Sequence, residues 1–316
     1  MKILVTGASG FVGGSFMRRF ASREGIELFG VGRRPANFDN YAQIDLSQDF
    51  DIPFSPDVVI HAAARAAPWG TRAEFFMQNV RATQNIVRFC ERRGSPKLIY
   101  VSSSSVFYRH EHQFNLTEAS PIGPTFVNEY ASSKYDGELA IGQYSGATVI
   151  LRPRAVFGPG DTVLFPRILR AARRGQFPLF QSVGAPAIGD LIFIDTLCDY
   201  LFSAAVQPTI VGQYNLTNAE PVIIQDFLLD AFARLGVRAP TRRITVATAM
   251  RAARVTESIY RLLHLKSEPP ITCYGVSVFA YSKTFDVTRM LRELGPPSVS
   301  LEEGTERFIA WQREQP

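Results

Sequence analysis

Tyr130 and Lys134 are the residues of this chain whose types and spacing most directly suggest chemistry. They form a YxxxK pair on a predicted helix, and a spacing of four places both side chains on one face. A nearby ammonium group lowers the pKa of a phenol, so Tyr130 could donate or accept a proton near neutral pH. Upstream, the four serines Ser102–Ser105 follow an apolar run. The order strand, serine, loop, tyrosine and lysine predicts one acid–base site.

A second group is the glycine-rich segment Thr6–Gly13, which reads TGASGFVG. It comes directly after an apolar run at the N-terminus and opens a helical pattern. Its three glycines permit a tight turn, close approach of a pyrophosphate and close helix packing, and a helix N-terminus favours negative charge. In this context the segment predicts a dinucleotide site rather than a purely structural turn.

The end of the second predicted strand indicates which dinucleotide is bound. The segment Val31–Pro35 reads VGRRP and contains no carboxylate. An acidic residue there binds the ribose 2′-hydroxyl of NAD, whereas arginine accommodates the 2′-phosphate of NADP. The guanidinium groups of Arg33 and Arg34 could hold that phosphate through charge-assisted hydrogen bonds. The sequence favours NADP(H), and the alternatives are NAD(H) and a solvated basic turn.

The elements that must position these residues alternate between strand and helix. The predicted strands of the first half are Lys2–Thr6, Glu27–Val31, Val58–His61, Leu98–Ser102 and Thr148–Leu151. The predicted helices between them lie near Phe11–Ser22, Glu74–Arg93 and Tyr130–Gln143. This alternation indicates βαβ units, and right-handed crossovers then give an α/β fold with a Rossmann-type doubly wound parallel sheet. Ligands bind such a sheet at the carboxyl ends of its strands.

The second half of the chain is less regular. Arg152–Asp161 is broken by proline and glycine, and we predict a loop over the sheet edge rather than a strand pair. Phe165–Arg174 is predicted to be a helix, Gln213–Leu216 a strand, and Asp190–Ala205 a strand entering a helix with Asp195 as its N-cap. We expect residues 1–157 and about 186–215 to form the NADP-binding domain, and about 158–185 and 216–316 to form a smaller C-terminal substrate-binding domain.

A predicted helix in this second half, Thr245–Leu265, mixes apolar residues with three arginines. Three interpretations are open: a helix packed against the body, a lid over the substrate, or a contact with a membrane surface. Aromatic side chains could line an apolar pocket, although each could equally be core: Trp69, Phe165, Phe177, Phe180, Tyr274 and Phe279. Arg154 could meet a carboxylate or a cofactor phosphate, or form a structural salt bridge.

Seven segments occur in order along the first half: TGASGFVG, Asp45 in IDL, His61–Ala64 as HAAA, Asn79 in NVRATQNIV, the serine run, YxxxK and LRPRAVFGPGD. This series resembles the extended short-chain dehydrogenase/reductases, the NAD-dependent epimerase/dehydratase family. The resemblance implies that Ser103, Tyr130 and Lys134 are catalytic. It also implies that Asp45 lies near the adenine and that Lys134 contacts the nicotinamide ribose. The residues expected to bind the cofactor are Gly7, Ser9, Gly10, Phe11, Val12, Arg33, Arg34, Asp45, Leu46, Ala62, Ala63, Ala64, Asn79, Tyr130, Lys134, Pro153 and Val156.

Departures from the family pattern narrow the branch. Sugar 4,6-dehydratases carry an acidic pair where this chain has Ser104 and Ser105, and sugar epimerases carry an asparagine where it has Ala155. Segments such as PWG, QYNLTNAEP and SEPP are similar to the 3β-hydroxysteroid dehydrogenase-like branch, which includes 2-alkyl-3-oxoalkanoate reductases. This implies an oxidoreductase that interconverts a carbonyl and a secondary alcohol on a β-keto acid, steroid-like or hydroxy ketone substrate. The alternatives are a nucleotide-sugar epimerase using NAD and a non-enzymatic NADP(H)-sensing module.

Composition and charge bear on compartment and partners. The 34 basic and 29 acidic residues leave a net charge of +5, which is too weak to indicate nucleic acid. Three widely spaced cysteines fit a reducing cytosol, and His110 and His112 match no zinc spacing. The chain opens with a strand rather than a signal peptide and has no apolar run of membrane-spanning length. We expect a cytoplasmic enzyme with a small-molecule substrate, no stable membrane association and, as in many resembled proteins, a homodimer as one option.

Overall fold

Short apolar runs alternate with helices along the chain in the computed structural model, which describes residues 1–181, 185–265 and 267–315. The strands are β1 Lys2–Thr6, β2 Glu27–Gly32, β3 Tyr41–Gln43, β4 Val58–His61, β5 Lys97–Val101, β6 Gln113–Leu116, β7 Thr148–Pro153, β8 Val156–Phe157, β9 Leu179–Gln181, β10 Ile188–Gly189, β11 Ile192–Phe193, β12 Gly212–Leu216, β13 Val222–Ile223, β14 Arg243–Thr245 and β15 Lys283–Phe285. The α-helices are α1 Phe11–Phe20, α2 Arg72–Phe75, α3 Ala82–Arg92, α4 Glu129–Ile141, α5 Phe165–Arg173, α6 Ile194–Val206, α7 Ile224–Arg234, α8 Val246–Leu262, α9 Cys273–Ala280, α10 Thr288–Glu293 and α11 Leu301–Glu314.

Seven of these strands form one parallel sheet in the order β12-β7-β5-β4-β1-β2-β3. Alternate residues of β1 belong to different cores: Ile3 and Val5 pack with α1 and α6 on one face, and Leu4 packs with α3 and α4 on the other. Helices on both faces explain why the central strands are apolar throughout. The strand order reverses between β1 and β4, which opens a crevice at their carboxyl ends. The predicted Rossmann-type sheet is confirmed.

A second, four-stranded sheet has the order β13-β10-β15-β6. Its strand β6 comes from the first half of the chain and pairs in parallel with β15, near the C-terminus. The predicted division into two domains stays a prediction; residues 182–184, Lys266 and Pro316, which fall in the predicted substrate-binding domain, lie outside the described residues. The sequence analysis did not anticipate this sheet, because its strands are only two to four residues long.

Two local predictions were wrong. Arg152–Asp161 is not a loop: β7 continues to Pro153, and β8 then pairs with β11. Ala155, with φ of 43°, makes the turn between β7 and β8. Asp195 is not an N-cap either, because α6 begins at Ile194 and Phe193 caps it. Asp195 instead lies in the first turn, where its carboxylate binds two arginines from neighbouring helices.

The predicted helix Glu74–Arg93 begins earlier and is irregular. Thr71 caps α2 through a reciprocal pair of hydrogen bonds with Glu74. Between α2 and α3, Phe76–Arg81 forms a π-helical stretch. Such a stretch re-aims the side chains that follow it, and it is common at functional sites.

The predicted helix Thr245–Leu265 corresponds to α8, with Thr245 as its N-cap. Its small residues Ala249 and Ala253 pack in a separate apolar cluster with Phe180 and α9, as expected for a helix packed against the body. Near its end, the ring of Tyr260 lies edge-on to Trp69, with ring centroids 6.4 Å apart. The lid and membrane interpretations stay predictions. No helix among the described residues is long and apolar enough to cross a membrane.

Candidate active site

A cavity of about 930 Å³ opens at the carboxyl ends of the parallel strands and extends under α8 and α9. All the site residues expected from the sequence line it except Asn79. The cavity therefore brings together the glycine-rich segment, the end of β2, the serine run and the YxxxK pair.

The glycine-rich turn leaves room for an anion. Gly7 has φ of +70°, and a side chain there would place its Cβ 2.8 Å from the backbone nitrogen of Ala63. Gly10 caps α1 without any side-chain hydrogen bond, and the first turn of α1 contains no acidic residue. The N–H groups at this helix end and the helix dipole thus face the cavity uncompensated, which suits a pyrophosphate.

The turn after β2 carries two exposed arginines at the edge of the same cavity. The Arg34 Nη2 donates a hydrogen bond to the carbonyl oxygen of Ser9, 2.8 Å away, which ties the guanidinium to the glycine-rich turn. The side chain of Arg33 has no hydrogen bond or ion pair within the described part of the chain. Asp45, also exposed at the cavity, accepts a hydrogen bond from the backbone N–H of Ser47.

The serine, tyrosine and lysine come from two adjacent elements. Tyr130 lies in the first turn of α4, which Asn128 caps by accepting a hydrogen bond from the backbone of Ala131. Ser103 begins a short 3-10 turn after β5, and its hydroxyl accepts from the backbone N–H of Ser105. Lys134 follows one turn after Tyr130, and its Nζ lies 4.0 Å from the ring centroid of Tyr100.

Burial sets the protonation of this group. Burial raises the pKa of Tyr130 above its ordinary value, Tyr274 and Tyr108 raise it further, and the Ser103 hydroxyl beside it acts in the opposite direction. Burial lowers the pKa of Lys134 to about 7, against the attraction of Glu138. The expected lowering of the Tyr130 pKa by Lys134 is therefore not found in the protein alone, where Tyr130 keeps its proton at neutral pH and can act as a donor.

A buried ion pair lies behind the helix that carries Tyr130 and Lys134. The Arg152 guanidinium binds both carboxylate oxygens of Glu138, at 2.7 and 2.9 Å, and Ser102 donates a hydrogen bond to the same carboxylate. Glu138 is one turn beyond Lys134 on α4, so the pair fixes this helix against β5 and β7. The sequence analysis missed this ion pair. The run YxxxKxxxE was an available signal, because Glu138 lies four residues after Lys134 and therefore on the same face of the helix.

A chain of hydrogen bonds runs through the sheet at β1 and β4. The backbone N–H of Ala63 donates to the Thr6 hydroxyl, His61 lies between Thr6 and Thr83 at 2.7 and 3.0 Å, and Thr83 donates to the carbonyl of Asn79. Because the Thr83 hydroxyl donates its hydrogen to the carbonyl of Asn79, it can only accept from His61. His61 therefore donates from Nε2 and accepts at Nδ1. We therefore assign His61 as neutral, in line with burial, which lowers its pKa to about 3.

Asn79 does not line the cavity, and its contact with the cofactor stays a prediction. Its Oδ1 accepts a hydrogen bond from the backbone N–H of Arg65, and its Nδ2 donates to Ser133 on α4. The reason is the π-helical stretch, in which Asn79 is buried. Asn79 positions the loop after β4 against the helix of Tyr130 and Lys134.

The far end of the cavity is apolar. Phe177, Phe180, Phe279 and Tyr274 line it, as one interpretation of the sequence expected. Phe165 belongs to the core instead, with its ring centroid 4.5 Å from that of Phe308.

The sequence model of the NAD dependent epimerase/dehydratase family matches residues 3–218. The chain belongs to this family. A 2-alkyl-3-oxoalkanoate reductase of Stenotrophomonas maltophilia is 31% identical, over 98% of this chain and 99% of that protein. A decarboxylating sterol-4-alpha-carboxylate 3-dehydrogenase of Schizosaccharomyces pombe is 29% identical, over 98% of this chain and 96% of that protein. A UDP-glucuronic acid 4-epimerase from Bacillus cereus, solved with NAD, has a TM-score of 0.73 over 100% of both chains but 21% identity, which shows a shared fold alone.

Membership of the NAD dependent epimerase/dehydratase family confirms the resemblance drawn from the motifs. The full-length relatives named as reductases and dehydrogenases confirm the predicted branch and the predicted class, an oxidoreductase of the extended short-chain dehydrogenase/reductase type. The cofactor of this family is a nicotinamide dinucleotide, and the glycine-rich turn described above fits its pyrophosphate.

Proposed function

We propose that this enzyme uses NADP(H) to interconvert a carbonyl and a secondary alcohol on a mainly apolar substrate, with Tyr130 as the acid–base. The observation that carries the proposal is that Ser103, Tyr130 and Lys134 line the same cavity as the glycine-rich turn. A cytoplasmic location and a homodimer stay predictions from the sequence.

In the direction of reduction, each of the three side chains has one role. The reduced nicotinamide, when bound, supplies hydride to the carbonyl carbon. Tyr130 donates its proton to the carbonyl oxygen, and Ser103 steadies that oxygen by a hydrogen bond. Lys134 holds the ribose and stabilises the phenolate that Tyr130 becomes. The buried Arg152–Glu138 pair keeps α4 in place, so that the donor stays within reach of the substrate.

The choice of NADP(H) rests on the turn after β2. Arg33 and Arg34 lie at the cavity edge, and the residues of this turn include no acid that would repel a 2′-phosphate. The substrate class rests on the aromatic far wall and on the relatives, which are named for a 2-alkyl-3-oxoalkanoate and a sterol carboxylate. A β-keto acid with long alkyl chains fits both the aromatic wall of the cavity and the substrates for which the relatives are named.

The test is Tyr130→Phe, assayed by oxidation of a 2-alkyl-3-hydroxyalkanoate with NADP⁺. We expect turnover to fall by about 10²- to 10⁴-fold, the range for loss of a general acid–base, while NADPH binding measured by fluorescence is retained. Tyr135→Phe is the matched control, because Tyr135 is on the same helix but does not line the cavity. Full activity of Tyr130→Phe would refute the proposed mechanism.

A further inference from the structure

Arg154, which follows β7, is a buried cation that no described residue neutralises at contact distance. Only 4% of the residue is exposed, and it lines the cavity. Its Nε has no hydrogen-bond partner, and among the described residues no carboxylate oxygen lies within 4.0 Å of the guanidinium. Its backbone is fixed, because the Arg154 N–H donates to the carbonyl of Leu216.

The surroundings of Arg154 do not replace a counter-ion. The guanidinium carbon of Arg154 lies 5.3 Å from the ring centroid of Tyr108, and the ammonium of Lys283 lies 5.7 Å from the same centroid. The nearby carboxylate of Asp190 accepts a hydrogen bond from the backbone of Phe285, and burial raises its pKa to about 6. Burial and the charge of Arg154 also lower the pKa of Lys283 to about 7. Arg154 is therefore the permanent cation of this cluster, and the Asp190 carboxylate, which it attracts, lies beyond ion-pair distance.

The contrast with Arg152, two residues earlier, is informative. Arg152 is equally buried but binds Glu138 through two hydrogen bonds, which is how proteins normally accommodate a buried charge. A buried charge without a partner costs folding free energy, so a group of this kind is typical of a site where a bound ligand supplies the opposite charge. Since Arg154 faces the cavity, the partner would be a ligand held there.

The position of Arg154 relative to the acid–base group restricts that ligand. Tyr108 and Tyr274 influence the pKa of Tyr130, and both also feel the charge of Arg154. The contacts of Tyr108 place Arg154 near the serine run: its ring centroid lies 5.3 Å from the Arg154 guanidinium carbon, and its hydroxyl lies 2.9 Å from that of Ser104. Tyr108, Tyr130 and Arg154 all line the same cavity. An anion on Arg154 would be close to a carbonyl held at Tyr130, with the rest of the molecule against the aromatic wall of Phe177, Phe180 and Phe279.

We propose that Arg154 is the receptor for the carboxylate of the substrate, and that it selects acids over neutral ketones and alcohols. This inference rests on the proposed function for the identity of the reacting group. A guanidinium matches a carboxylate through two parallel hydrogen bonds, and no side-chain hydrogen bond of Arg154 within the described part of the chain competes with them. In a β-keto acid one carbon separates the carboxylate from the carbonyl, so we expect the two groups to meet Arg154 and Tyr130 in the same cavity.

The first experiment measures binding rather than turnover, using the full chain loaded with NADPH. Calorimetry compares decanoate with decan-1-ol, which have the same chain length and no carbonyl to reduce. We expect decanoate to bind more tightly by about tenfold or more, the usual worth of a hydrogen bond to a charged group. Arg154→Gln should remove this preference, and Arg154→Lys, which keeps the charge without the fork, should retain part of it.

Arg242→Gln is the control, because Arg242 is an exposed arginine at the rim of the same cavity. We expect it to keep the preference for decanoate. A wild-type protein with no preference, or an Arg154→Lys or Arg154→Gln variant with an unchanged preference and normal NADPH affinity, would overturn the inference.

The second experiment compares a 2-alkyl-3-hydroxyalkanoate with its methyl ester as substrates. We expect Arg154→Gln to lower kcat/KM for the acid by about 100-fold and for the ester by much less. Failure of the proposed function looks different: no turnover of either substrate while Arg154 still selects decanoate. Turnover of acid and ester with equal efficiency by the wild type would refute the role of Arg154 and leave the oxidoreductase intact.

Discussion

His61 is a buried imidazole that the protein keeps neutral through its two threonine partners. The Thr6 hydroxyl donates a hydrogen bond to Nδ1 of His61, so a proton on Nδ1 would bring two donors face to face. The nearby Lys134 ammonium disfavours a second positive charge and, with burial as the larger cause, lowers the pKa of His61 to about 3. The histidine is thus a structural link between β4 and α3 rather than a proton carrier.

We predict that His61 makes the protein sensitive to acid. The unfolded chain binds a proton at His61 below about pH 6.5, and the folded chain does so only near pH 3. Between these values the unfolded state holds one more proton, so the free energy of unfolding falls as the pH falls, by about 1.4 kcal/mol per pH unit from this group. Urea unfolding at a series of pH values measures the slope.

His61→Gln removes the titrating group, and we expect a shallower slope between pH 6 and 4. His264→Asn is the control, since His264 is an exposed histidine after α8. An equal slope in wild type and His61→Gln would contradict the neutral assignment.

Residue types predicted the candidate site wherever the signal was local. Ser103 follows a predicted strand and Tyr130 and Lys134 lie one turn apart on a predicted helix, so the sequence was sufficient to bring them to one cavity. The sequence left Arg154 open between a carboxylate, a cofactor phosphate and a salt bridge, and it did not show which of Arg152 and Arg154 pairs with Glu138, because both arginines stand in the same short segment. Which of them finds a carboxylate depends on the packing of α4 against β7.

At the scale of elements, the turn after β2 offers a test of cofactor choice. Replacing Arg33 and Arg34 together by glutamine removes the cations expected to bind a 2′-phosphate. It also removes the hydrogen bond from Arg34 to the Ser9 carbonyl, while the glycines of the turn stay in place. We expect kcat/KM to fall about tenfold or more with NADPH and to change little with NADH. Steady-state kinetics with each cofactor give the ratio.

A matched pair of adjacent exposed arginines, Arg173 and Arg174 at the end of α5, provides the control. Their double replacement should leave the preference between NADPH and NADH unchanged. If the Arg33 and Arg34 replacement also left it unchanged, the turn would be only a solvated basic segment.

The elements of the main sheet were predictable, except for the three-residue edge strand β3, and most of the short strands around that sheet were not. The strands of the first half are apolar runs separated by long helices, so their pattern was clear, with ends within two residues of the observed ones. The pair β8–β11 has two residues in each strand and follows Pro153, and proline and glycine suggested a loop. The two strands are about 35 residues apart in the chain, and no local sequence pattern indicates a pairing over that separation.

At the scale of the whole molecule, we predict one cooperative unfolding transition. The main apolar core includes Val149 of the parallel sheet as well as Phe232 and Phe308 of the C-terminal part. The strand β6 also ties residues near 115 to the second sheet. Because these contacts cross the predicted domain boundary, neither part should unfold alone. Far-UV circular dichroism and tryptophan fluorescence in urea should give coincident curves.

Trp69 and Trp311 are the only tryptophans of the chain, and they report on different parts. Trp69→Phe leaves the reporter on α11, and Trp311→Phe leaves the reporter beside α8. Two separate midpoints for these variants would contradict a single cooperative unit and favour independent domains.

The crossing of β6 into the second sheet has a consequence for protein engineering. The segment that contains Ser103 continues directly into a strand of the substrate side, within about ten residues. A chimaera that borrows only the C-terminal residues of a relative would therefore pair a foreign β15 with a native β6. Transplanting specificity between relatives requires exchanging residues 109–128 together with the C-terminal part, as one interlocking graft.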